Sequence, residues 1–390
     1  MDHGDYGPDL SFNFYQPTRI VFGDGVLKDL GLELKRLGVT RALLVTDQVL
    51  RAQGDLVPRV EQALGLRLGG IYDGALPDTP VDCVDAGGAA ARQLGCDGVV
   101  SLGGGSVIDT AKGITLLLRE SGSIRDHQGT QRLTRPLAPH VAIPTTAGTG
   151  AEVSAFAVIS DPVAREKMHY MDDHLVPSVA VLDPSVTIGL PARLTAATGM
   201  DALTHAVESY QTVMRNPLSD ANALHAIRLI ARWLPVAVHR GHDRVARGQM
   251  LLAASMAGLA FNAAGVGLAH AMSHVIGARH HVHHGTANAI CLPHVMRFNA
   301  DEFGGRQADI AAALGLPPSG SEEAQAQAAA DAVARLVADV GLPTRLRDVG
   351  VPESDLEACA EGSLSDGAIV YNGKFAADRD LVLGVYRAAY

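Results

Sequence analysis

Aromatic residues are scarce in this chain: they make up only 4% of its 390 residues, and there is a single tryptophan. Alanine, leucine, valine and glycine therefore fill the core, because hydrophobic residues still reach 47% and charged residues only 19%. This balance is typical of a globular protein. The length exceeds what one small core needs, and it predicts about two domains.

Runs of basic residues, long apolar runs and signal-peptide features are also lacking. The net charge is -10, so a nucleic acid is not expected as a partner. No apolar run reaches the ~18 residues that span a bilayer, so no membrane association is expected. The first residues, MDHGDYGPDLSFNFY, contain neither a basic region nor an apolar core. Together these absences predict a cytoplasmic protein.

Cysteine is sparse, whereas histidine is abundant. The sequence favours buried, reduced thiols over a metal site or disulfides, because no two cysteines form a CxxC pair. The four cysteines are Cys83, Cys96, Cys291 and Cys359. Histidine occurs 16 times, and it is concentrated between His270 and His284. This local excess of imidazole requires its own explanation.

Strand-like and helix-like segments alternate in the first half of the chain. Helix-like stretches such as 57–65 and 82–94 separate apolar runs that end in a glycine or a polar residue. This alternation predicts βαβ units and a mostly parallel sheet. The expected strands are 19–23, 42–47, 68–74, 97–105 and 141–146.

From about Pro191 onward the pattern becomes helical, and no strand is expected after residue 185. The segments there are rich in alanine and leucine, with apolar residues at helical spacing. The stretch LDPSVTIGLP (182–191) is punctuated by proline and glycine, which marks a boundary. The sequence therefore predicts an α/β domain at 1–187 and an all-helical domain at 188–390.

A glycine-rich turn follows one expected strand and begins a helix, in VVSLGGGSVIDTAK (99–112). Glycine lets a phosphate approach the backbone, and a helix N-terminus offers unpaired N–H groups and a positive dipole. The turn therefore predicts a pyrophosphate site. Its residues are Gly103, Gly104, Gly105 and Ser106. The pattern is neither GxGxxG nor a Walker loop, so a tight strand-to-helix turn is the alternative.

Two further features of the first half favour a dinucleotide. Asp47 ends an apolar strand, where open α/β sheets bind ligands. Its carboxylate would accept both ribose hydroxyls and repel a 2'-phosphate, which favours NAD over NADP. An ordinary loop aspartate or helix cap is the alternative. PTTAGTGAEVS (144–154) is a flexible loop rich in hydroxyl groups that would wrap a ribose, although such loops are common.

Carboxylate and imidazole groups recur at helical spacing in the second half. Asp201 and His205 share one helix face in GMDALTHAVESY (199–210), and His270 and His274 repeat this spacing in GVGLAHAMSHVIG (265–277). His284 follows shortly after. Such groups on facing helices form divalent metal sites, whereas a single pair is more often an ordinary surface or core pair.

Spacing alone leaves the choice of imidazole ligands open. The other candidates are His274, His280, His281 and His283. A divalent ion beside a nicotinamide would serve alcohol oxidation, because a metal ion lowers the pKa of an oxygen that it binds. The two halves of the chain therefore point to one redox reaction.

Several motifs, in order, resemble the iron-containing (group III) alcohol dehydrogenases from about residue 19 to about residue 350. They are GGGSVIDTAK, PTTAGTGAEVS, GMDALTHAVESY and HAMSHVIG…HHGTANAICLPHVMRFNA. The resemblance implies a dehydroquinate synthase-like fold, with an NAD-binding α/β domain, a helical domain and an active site in the cleft between them. It implies an NAD-dependent alcohol dehydrogenase that acts on a small primary alcohol or diol and its aldehyde. It also implies a homodimer or higher homo-oligomer.

The resemblance also implies roles for individual residues. The metal ligands would be Asp201, His205, His270 and His284. Fe(II) is favoured over Zn(II), although both ions accept this ligand set. His274 would be a proton relay or substrate contact near the nicotinamide, and Phe261 would form a wall of the substrate pocket.

The remaining implied roles concern the cofactor. Asp47 would bind the adenosine ribose, and Gly103, Gly104 and Ser106 the pyrophosphate. The rest of the groove would be lined by Asp109, Thr145, Thr146, Thr149 and Lys167.

The chain departs from the family pattern at several positions, which leaves the substrate open. His283 stands where relatives often have proline, Asp78 replaces an asparagine, and Phe156 replaces a polar residue of some relatives. YNGKFAADRD (371–380) replaces the usual stretch near the C-terminus.

Other functions on the same fold are the alternatives. They include glycerol dehydrogenase-like polyol oxidation and a dehydroquinate synthase-like lyase, which would need a basic cluster that the predicted pocket lacks. The retained aspartate and three histidines disfavour a metal-free maleylacetate reductase. They also disfavour a non-catalytic binding protein.

Overall fold

The computed structural model describes residue 6 and residues 10–52, 54–164, 166–318 and 320–390. They form two compact units. The α/β unit is Tyr15–Gly189, and the helical unit is Leu190–Tyr390 with the described residues up to Phe14. The expected division assigned the whole N-terminus to the first domain. Instead the Tyr6 hydroxyl donates to Asp220 Oδ2 at 2.6 Å, within the helical unit.

Nine strands occur in the described part of the α/β unit, and six of them form a parallel sheet in the order β1-β9-β6-β4-β2-β3. The strands are β1 (Arg19–Phe22), β2 (Ala42–Val45), β3 (Leu68–Tyr72), β4 (Gly98–Gly103), β5 (Gly129–Thr130), β6 (His140–Pro144), β7 (Phe156–Asp161), β8 (Glu166–Met171) and β9 (Val179–Leu182). The inner strands β2, β4, β6 and β9 are buried throughout, as expected where helices cover both faces of a parallel sheet.

The helices of the α/β unit connect these strands. They are α1 (Leu30–Arg36), α2 (Gln48–Ala52), α3 (Leu56–Leu64), α4 (Val81–Gln93) and α5 (Gly105–Leu117). Helix α5 is buried at most of its positions, which explains why its sequence shows little amphipathic pattern. The expected alternation of strands and helices is confirmed.

A second, three-stranded sheet was not predicted. It has the order β5-β8-β7, and β7 and β8 form an antiparallel pair in which Phe156 lies opposite Met171. Buried and half-buried residues alternate along β7, as is typical of a strand with one covered face.

The helical unit consists of α-helices with short 3-10 turns, and its described residues contain no strand. The helices are α6 (Ala192–Gln211), α7 (Pro217–His239), α8 (Arg244–Ala264), α9 (Leu268–His280), α10 (His284–Ala313), α11 (Glu322–Asp339), α12 (Leu356–Leu364) and α13 (Arg379–Ala389). Helix α10 bends at Phe303, whose φ of -124° is not helical. The predicted fold class, an α/β unit followed by an all-helical one, is confirmed.

Among the described residues, no single helix has the length and hydropathy of a membrane span. Helices α8 and α9, which are bent by 104° relative to each other, meet that criterion only as a pair and only by length and composition.

Candidate nucleotide site and metal centre

The glycine turn and the threonine loop, which the sequence presents as separate features, meet at one edge of the sheet. Strands β4 and β6 are neighbours, and Gly103 lies opposite Pro144. The Thr145 N–H donates to the Gly103 carbonyl at 3.0 Å. A Cβ atom added at Gly105 would lie 2.8 Å from Thr149 Cγ2. The loop therefore packs so closely on the turn that a side chain at residue 105 would displace it.

Helix α5 begins at this turn with Gly104 as its N-cap. No side chain among the described residues caps it. The first N–H groups of a helix have no partner within the helix, and the dipole makes this end positive. A glycine N-cap leaves room for a phosphate to reach these N–H groups. The residues present thus fit the pyrophosphate of a dinucleotide, and Ser106, the second residue of the helix, lies half-exposed beside them.

Asp47 follows β2, as predicted. Its Oδ1 accepts the N–H of Leu50 at 2.8 Å, so one carboxylate oxygen caps the short helix α2. The helix-cap interpretation therefore applies to one oxygen of Asp47. A cap of this kind fixes the orientation of the carboxylate, which is half-exposed.

Two other residues implied in the groove have protein partners. Asp109 Oδ2 accepts the Val158 N–H at 3.1 Å, which links α5 to β7. Burial raises the pKa of Asp109 to about 6. Lys167 lies on β8 with its Nζ 3.5 Å from Asp78 Oδ1, and both side chains are exposed. The Asp78 that departs from the family pattern thus forms a surface ion pair.

A buried lysine, which sequence reasoning missed, holds the chain that follows the threonine loop. Lys112 Nζ donates to the carbonyls of Ser154 at 2.8 Å and Phe156 at 2.6 Å. Burial lowers the pKa of Lys112 to about 8. The signal was present in the motif GGGSVIDTAK, where Lys112 lies two turns into a helix whose only other charged residue is Asp109.

In the helical unit, α6, α9 and α10 bring three ligand-type atoms together. Asp201 Oδ1 lies 3.3 Å from His284 Nε2 and 3.9 Å from His270 Nε2. We call Asp201, His270 and His284 the central cluster; their ligand atoms all lie within 4.8 Å of one another. The predicted pairing of residues on α6 with the histidine-rich segment is therefore present in the structure.

An amide nitrogen lies at the point where these atoms converge. Asn288 Nδ2 is 2.8 Å from Asp201 Oδ1 and 3.2 Å from Nε2 of both His270 and His284. Asn288 Oδ1 is buried and has no hydrogen-bond partner among the described residues. Three acceptor atoms thus face one donor, which is the arrangement that a bound cation requires.

The charges in the central cluster also fit a cation. Burial lowers the pKa of His270 to about 3 and that of His284 well below its usual range, so both imidazoles are neutral and carry lone pairs. Burial acts to raise the pKa of Asp201, but attraction to the His205, His284 and His270 rings in their protonated form and the hydrogen bond from the Asn288 amide outweigh it and give a pKa of about 2. No lysine or arginine in the described part of the chain pairs with Asp201.

His205, the other residue that the resemblance implies as a ligand, borders the central cluster. Its ring stacks on that of His270, with centroids 4.6 Å apart. The ring of His205 also stacks on that of Phe261, with centroids 4.5 Å apart. Phe261 thus places an apolar surface beside the cluster.

The remaining histidines occupy distinct environments. His274 Nδ1 lies 2.9 Å from Asp366 Oδ2, and its ring stacks on His284 at 5.4 Å. His281 ends α9 in a left-handed conformation with φ 56°, and His283, which replaces the family's proline, precedes α10 as its N-cap. Both side chains of this connection are exposed.

His280 belongs to a second group, which we call the terminal cluster: His280, Asp355 and Cys359. His280 Nε2 lies 2.7 Å from Asp355 Oδ2, and Cys359 Sγ lies 3.9 Å from the same nitrogen. Arg279 donates to both carboxylate oxygens of Asp355, at 2.8 and 2.6 Å. The four cysteines are free and buried, as expected.

Two residues at the central cluster were missed by sequence reasoning, Glu208 and Asn288. Glu208 lies on α6 beyond Asp201 and His205, and the spacing 201, 205 and 208 puts all three on one helix face. Asn288 lies one turn after His284 on α10. Both spacings are present in the sequence, but residues that Glu208 and Asn288 contact lie on other helices, which the sequence alone does not bring together.

Gly285 permits the close approach of α10 to α6. A Cβ atom at this position would overlap the carbonyl oxygen of Ala197, and it would lie 3.3 Å from Asp201 Cβ. Any larger residue would therefore separate the start of α10 from α6, and with it His284 from Asp201.

Known proteins resemble this chain along most of its length. A family model for iron-containing alcohol dehydrogenase matches residues 17–184, and one for the C-terminal part of the Fe-containing alcohol dehydrogenase family matches residues 195–390. The NAD-dependent methanol dehydrogenase of Bacillus methanolicus is 40% identical over 373 residues, which cover 95% of this chain and 97% of that protein. The 1,3-propanediol dehydrogenase of Citrobacter freundii is 41% identical over 385 residues, 97% and 99% of the two chains.

Solved structures lead to the same family. The crystal structure of a 1,3-propanediol oxidoreductase matches with a TM-score of 0.94 and 39% identity, and the match covers 98% of this chain and 100% of that one. The chain belongs to the iron-containing alcohol dehydrogenase family. The predicted family, fold class and enzyme class are confirmed: the protein is an oxidoreductase of the alcohol dehydrogenase type.

Proposed function

We propose that this protein uses NAD and one divalent metal ion to interconvert a small primary alcohol or diol and its aldehyde. The observation that carries the proposal is the convergence of Asp201, His270 and His284 on one position within 4.8 Å. A carboxylate and neutral imidazoles are ligands that Fe(II) and Zn(II) both accept. His205 completes the proposed ligand set, since its ring already contacts His270.

The protein groups around the central cluster have separate tasks. When bound, the metal ion supplies Lewis acidity towards the alcohol or carbonyl oxygen of the substrate. Phe261 would exclude water from one side of the substrate. His274 is 34% exposed and its Nδ1 lies 2.9 Å from Asp366 Oδ2, so it would serve as a proton relay or substrate contact beside the cluster.

The α/β unit would hold the cofactor. The uncapped N-terminus of α5, with Gly103, Gly104 and Ser106, would bind the pyrophosphate, and the loop that carries Thr145, Thr146 and Thr149 would cover the nucleotide. The oriented carboxylate of Asp47 would accept the adenosine ribose hydroxyls. Asp109, which links α5 to β7, and Lys167 on β8 would line the rest of the groove.

We infer the substrate class from the relatives, and the identity of the ion from the family and from the ligand atoms of the central cluster. Two relatives bear names that specify methanol and 1,3-propanediol, which supports a small primary alcohol or diol. The family is named for iron, which favours Fe(II) over Zn(II). Elemental analysis of anaerobically purified protein decides between the ions, and iron below zinc in molar amount would overturn this choice.

The edge of the parallel sheet supports a homodimer. Strand β1 is an edge strand, and in the described part of the chain β9 is its only partner. Val21 packs into the core, while Ile20 and Phe22 on the other face are 40% and 42% exposed and nearby Tyr15 is 44% exposed. An apolar edge strand of this kind favours pairing with a second copy of the chain. Phe22→Lys should convert a dimer into a monomer in light scattering, and an unchanged mass would contradict this interface.

A cytoplasmic location remains a prediction. All four cysteines are free thiols, which supports a reducing compartment.

One assay tests the reaction. NADH formation is measured with methanol, ethanol, 1-propanol, 1,3-propanediol and glycerol, each with added Fe(II), Zn(II) or chelator. Turnover of primary alcohols or the diol that depends on the ion supports the proposal. A preference for glycerol would instead support polyol oxidation, and no turnover of any alcohol would contradict the proposed substrates.

The cofactor choice has its own test. Asp47→Gly should raise the ratio of NADP to NAD turnover by about tenfold or more, since the repulsion of a 2'-phosphate is removed. Asp73→Gly, a change at a second acidic residue of this unit, serves as the control. An unchanged cofactor ratio in Asp47→Gly would place the ribose elsewhere.

A further inference from the structure

Glu208 is a buried carboxylate that contacts a proposed metal ligand on the side away from the other ligand atoms. Its Oε2 lies 2.5 Å from His270 Nδ1, and both side chains are 3% exposed. On the opposite edge of the same ring, His270 Nε2 lies near Asp201 and Asn288. The imidazole therefore bridges a buried acid and the point where the central cluster converges.

When Glu208 is ionised, the contact determines which nitrogen of His270 carries the proton. A neutral imidazole has one N–H and one lone pair. When Nδ1–H donates to Glu208, the lone pair is on Nε2, and Nε2 is the atom that faces Asp201. The reverse tautomer would leave Glu208 facing a lone pair and would place a hydrogen where a cation belongs.

We propose that Glu208 is a positioning residue for the metal centre, which accepts the Nδ1–H of His270 and so holds its Nε2 ready to bind the ion. The inference deepens the proposed function and rests on it for the identity of the site. Carboxylates that orient a histidine ligand in this way strengthen metal binding about 10- to 100-fold.

The position of Glu208 on α6 makes this contact effective. The carboxylate accepts the N–H of Ala269 through its other oxygen, Oε1, at 2.6 Å. The Glu208 side chain thus holds both the first turn of α9, at Ala269, and the ring of the next residue, His270. Because Asp201 lies on the same face of α6, one helix supplies a ligand and also orients a ligand of its neighbour.

The ring of His270 has little freedom left. His205 stacks on one face at 4.6 Å with an interplanar angle of 26°, which opposes tilting, and the Glu208 contact in the ring plane opposes rotation. His284 is held less firmly, because its Nδ1 lies 3.4 Å from Ser273 Oγ, at the limit of a hydrogen bond. We therefore assign the larger share of the orientation within the central cluster to Glu208.

Two variants separate orientation from a merely structural role. Glu208→Ala removes both contacts, whereas Glu208→Gln keeps an oxygen that can accept Nδ1–H or the Ala269 N–H. Binding of Co(II) and Zn(II) to metal-free protein is measured in competition with a chelator. Glu208→Ala should weaken binding about 10- to 100-fold, and Glu208→Gln by less. Wild-type affinity in both folded variants would overturn the proposal.

A second measurement reports the tautomer directly, without turnover. Metal-free protein with ¹⁵N-labelled histidine is examined by NMR, and the His270 signals are identified by their loss in His270→Ala. We expect the proton on Nδ1 of His270 in the wild type. In Glu208→Ala we expect a mixture of the two neutral tautomers, in which the proton exchanges between Nδ1 and Nε2. A proton on Nε2 in the wild type would overturn the proposal even if Glu208→Ala did not fold.

A matched control measures the general effect of removing a buried acid. Asp220 is buried in the same unit and pairs with Arg306 at 2.7 Å, away from the central cluster. Asp220→Asn should lower thermal stability and leave metal affinity unchanged. Equal losses of affinity in Asp220→Asn and Glu208→Ala would show that stability, and not orientation, explains the effect. Metal affinity and the tautomer of His270 are both measured without substrate. Failure of the proposal for Glu208 is therefore distinguishable from failure of the proposed alcohol reaction.

Discussion

Helix α9 carries histidines of two clusters that have similar residues and different chemistry. The central cluster combines Asp201 with His270 and His284, and the terminal cluster combines Asp355 with His280 and Cys359. In both, the ligand-type atoms lie within 4.8 Å of one another. Residue type and spacing alone therefore do not distinguish a metal site from a structural cluster.

The difference lies in which group supplies positive charge. Arg279 donates twice to the Asp355 carboxylate, so the terminal cluster contains its own cation. Among the residues that the structure describes, the acceptors of the central cluster meet the neutral amide of Asn288 and no lysine or arginine. A buried carboxylate without a protein cation is costly, and binding a metal ion offsets that cost. The comparison supports the proposal that the central cluster, and not the terminal cluster, binds the metal ion.

The largest expected effect is loss of the metal ion that we propose for the central cluster. His270→Ala removes one of three converging atoms, so the bound metal should fall well below one equivalent per chain. Alcohol turnover should drop by at least about 100-fold, since losing a ligand costs more than losing its support. Elemental analysis and the NADH assay measure both. NAD affinity in the same variant is the control and should stay unchanged; full metal occupancy would mean that another histidine is the ligand.

Removing the cation from the terminal cluster tests the comparison directly. Arg279→Met leaves the Asp355 carboxylate with only His280 and the Cys359 thiol, so this variant should bind a second equivalent of Zn(II). Titration with Zn(II), followed by dialysis and elemental analysis, measures the stoichiometry. The double variant Arg279→Met, Cys359→Ser should lose the added equivalent. If Arg279→Met binds no more zinc than the wild type, charge compensation is not what separates the clusters.

The smallest effect concerns acid stability. The hydrogen bond from Arg279 lowers the pKa of Asp355 to about 2. Because the folded pKa lies below the unfolded value of about 3.9, this contribution is present above pH 4 and is lost as the pH falls towards 2. Asp355→Asn should therefore lower the free energy of unfolding at pH 7 by at most about 1 kcal/mol, since Arg279 is half-exposed. The difference in free energy of unfolding between the wild type and Asp355→Asn, measured with urea at pH 7 and pH 3, should become smaller on acidification. An equal difference at both pH values would contradict the role of the Arg279–Asp355 pair.

Much of the fold could be predicted because its segments are strongly patterned. The buried strands of the parallel sheet are apolar runs, and the long helices after Pro191 have helical spacing. The β7 and β8 pair was missed because EKMHYM resembles a polar segment. Its apolar residues Met168 and Tyr170 are buried in a cluster that also contains residues of α4, α5 and β7. The N-terminal stretch carries no pattern that assigns it to either unit.

The candidate site was predictable only in part. Spacing identified Asp201 and His205, but it could not separate His270 and His284 from their neighbours, because that choice depends on the packing of three helices. Spacing also could not identify Glu208 or Asn288, whose roles arise from hydrogen bonds across helices.

The absence of a side chain at Gly285 has a consequence for the ion that the proposed metal site would accept. It brings the backbones of α6 and α10 into contact, and that contact sets how far His284 lies from Asp201. In the metal site that we propose, the radius of the ion that fits would therefore depend on the spacing of the axes of α6 and α10. Substitutions among the small residues along this contact, such as Ala197, would then change ion preference without altering any proposed ligand.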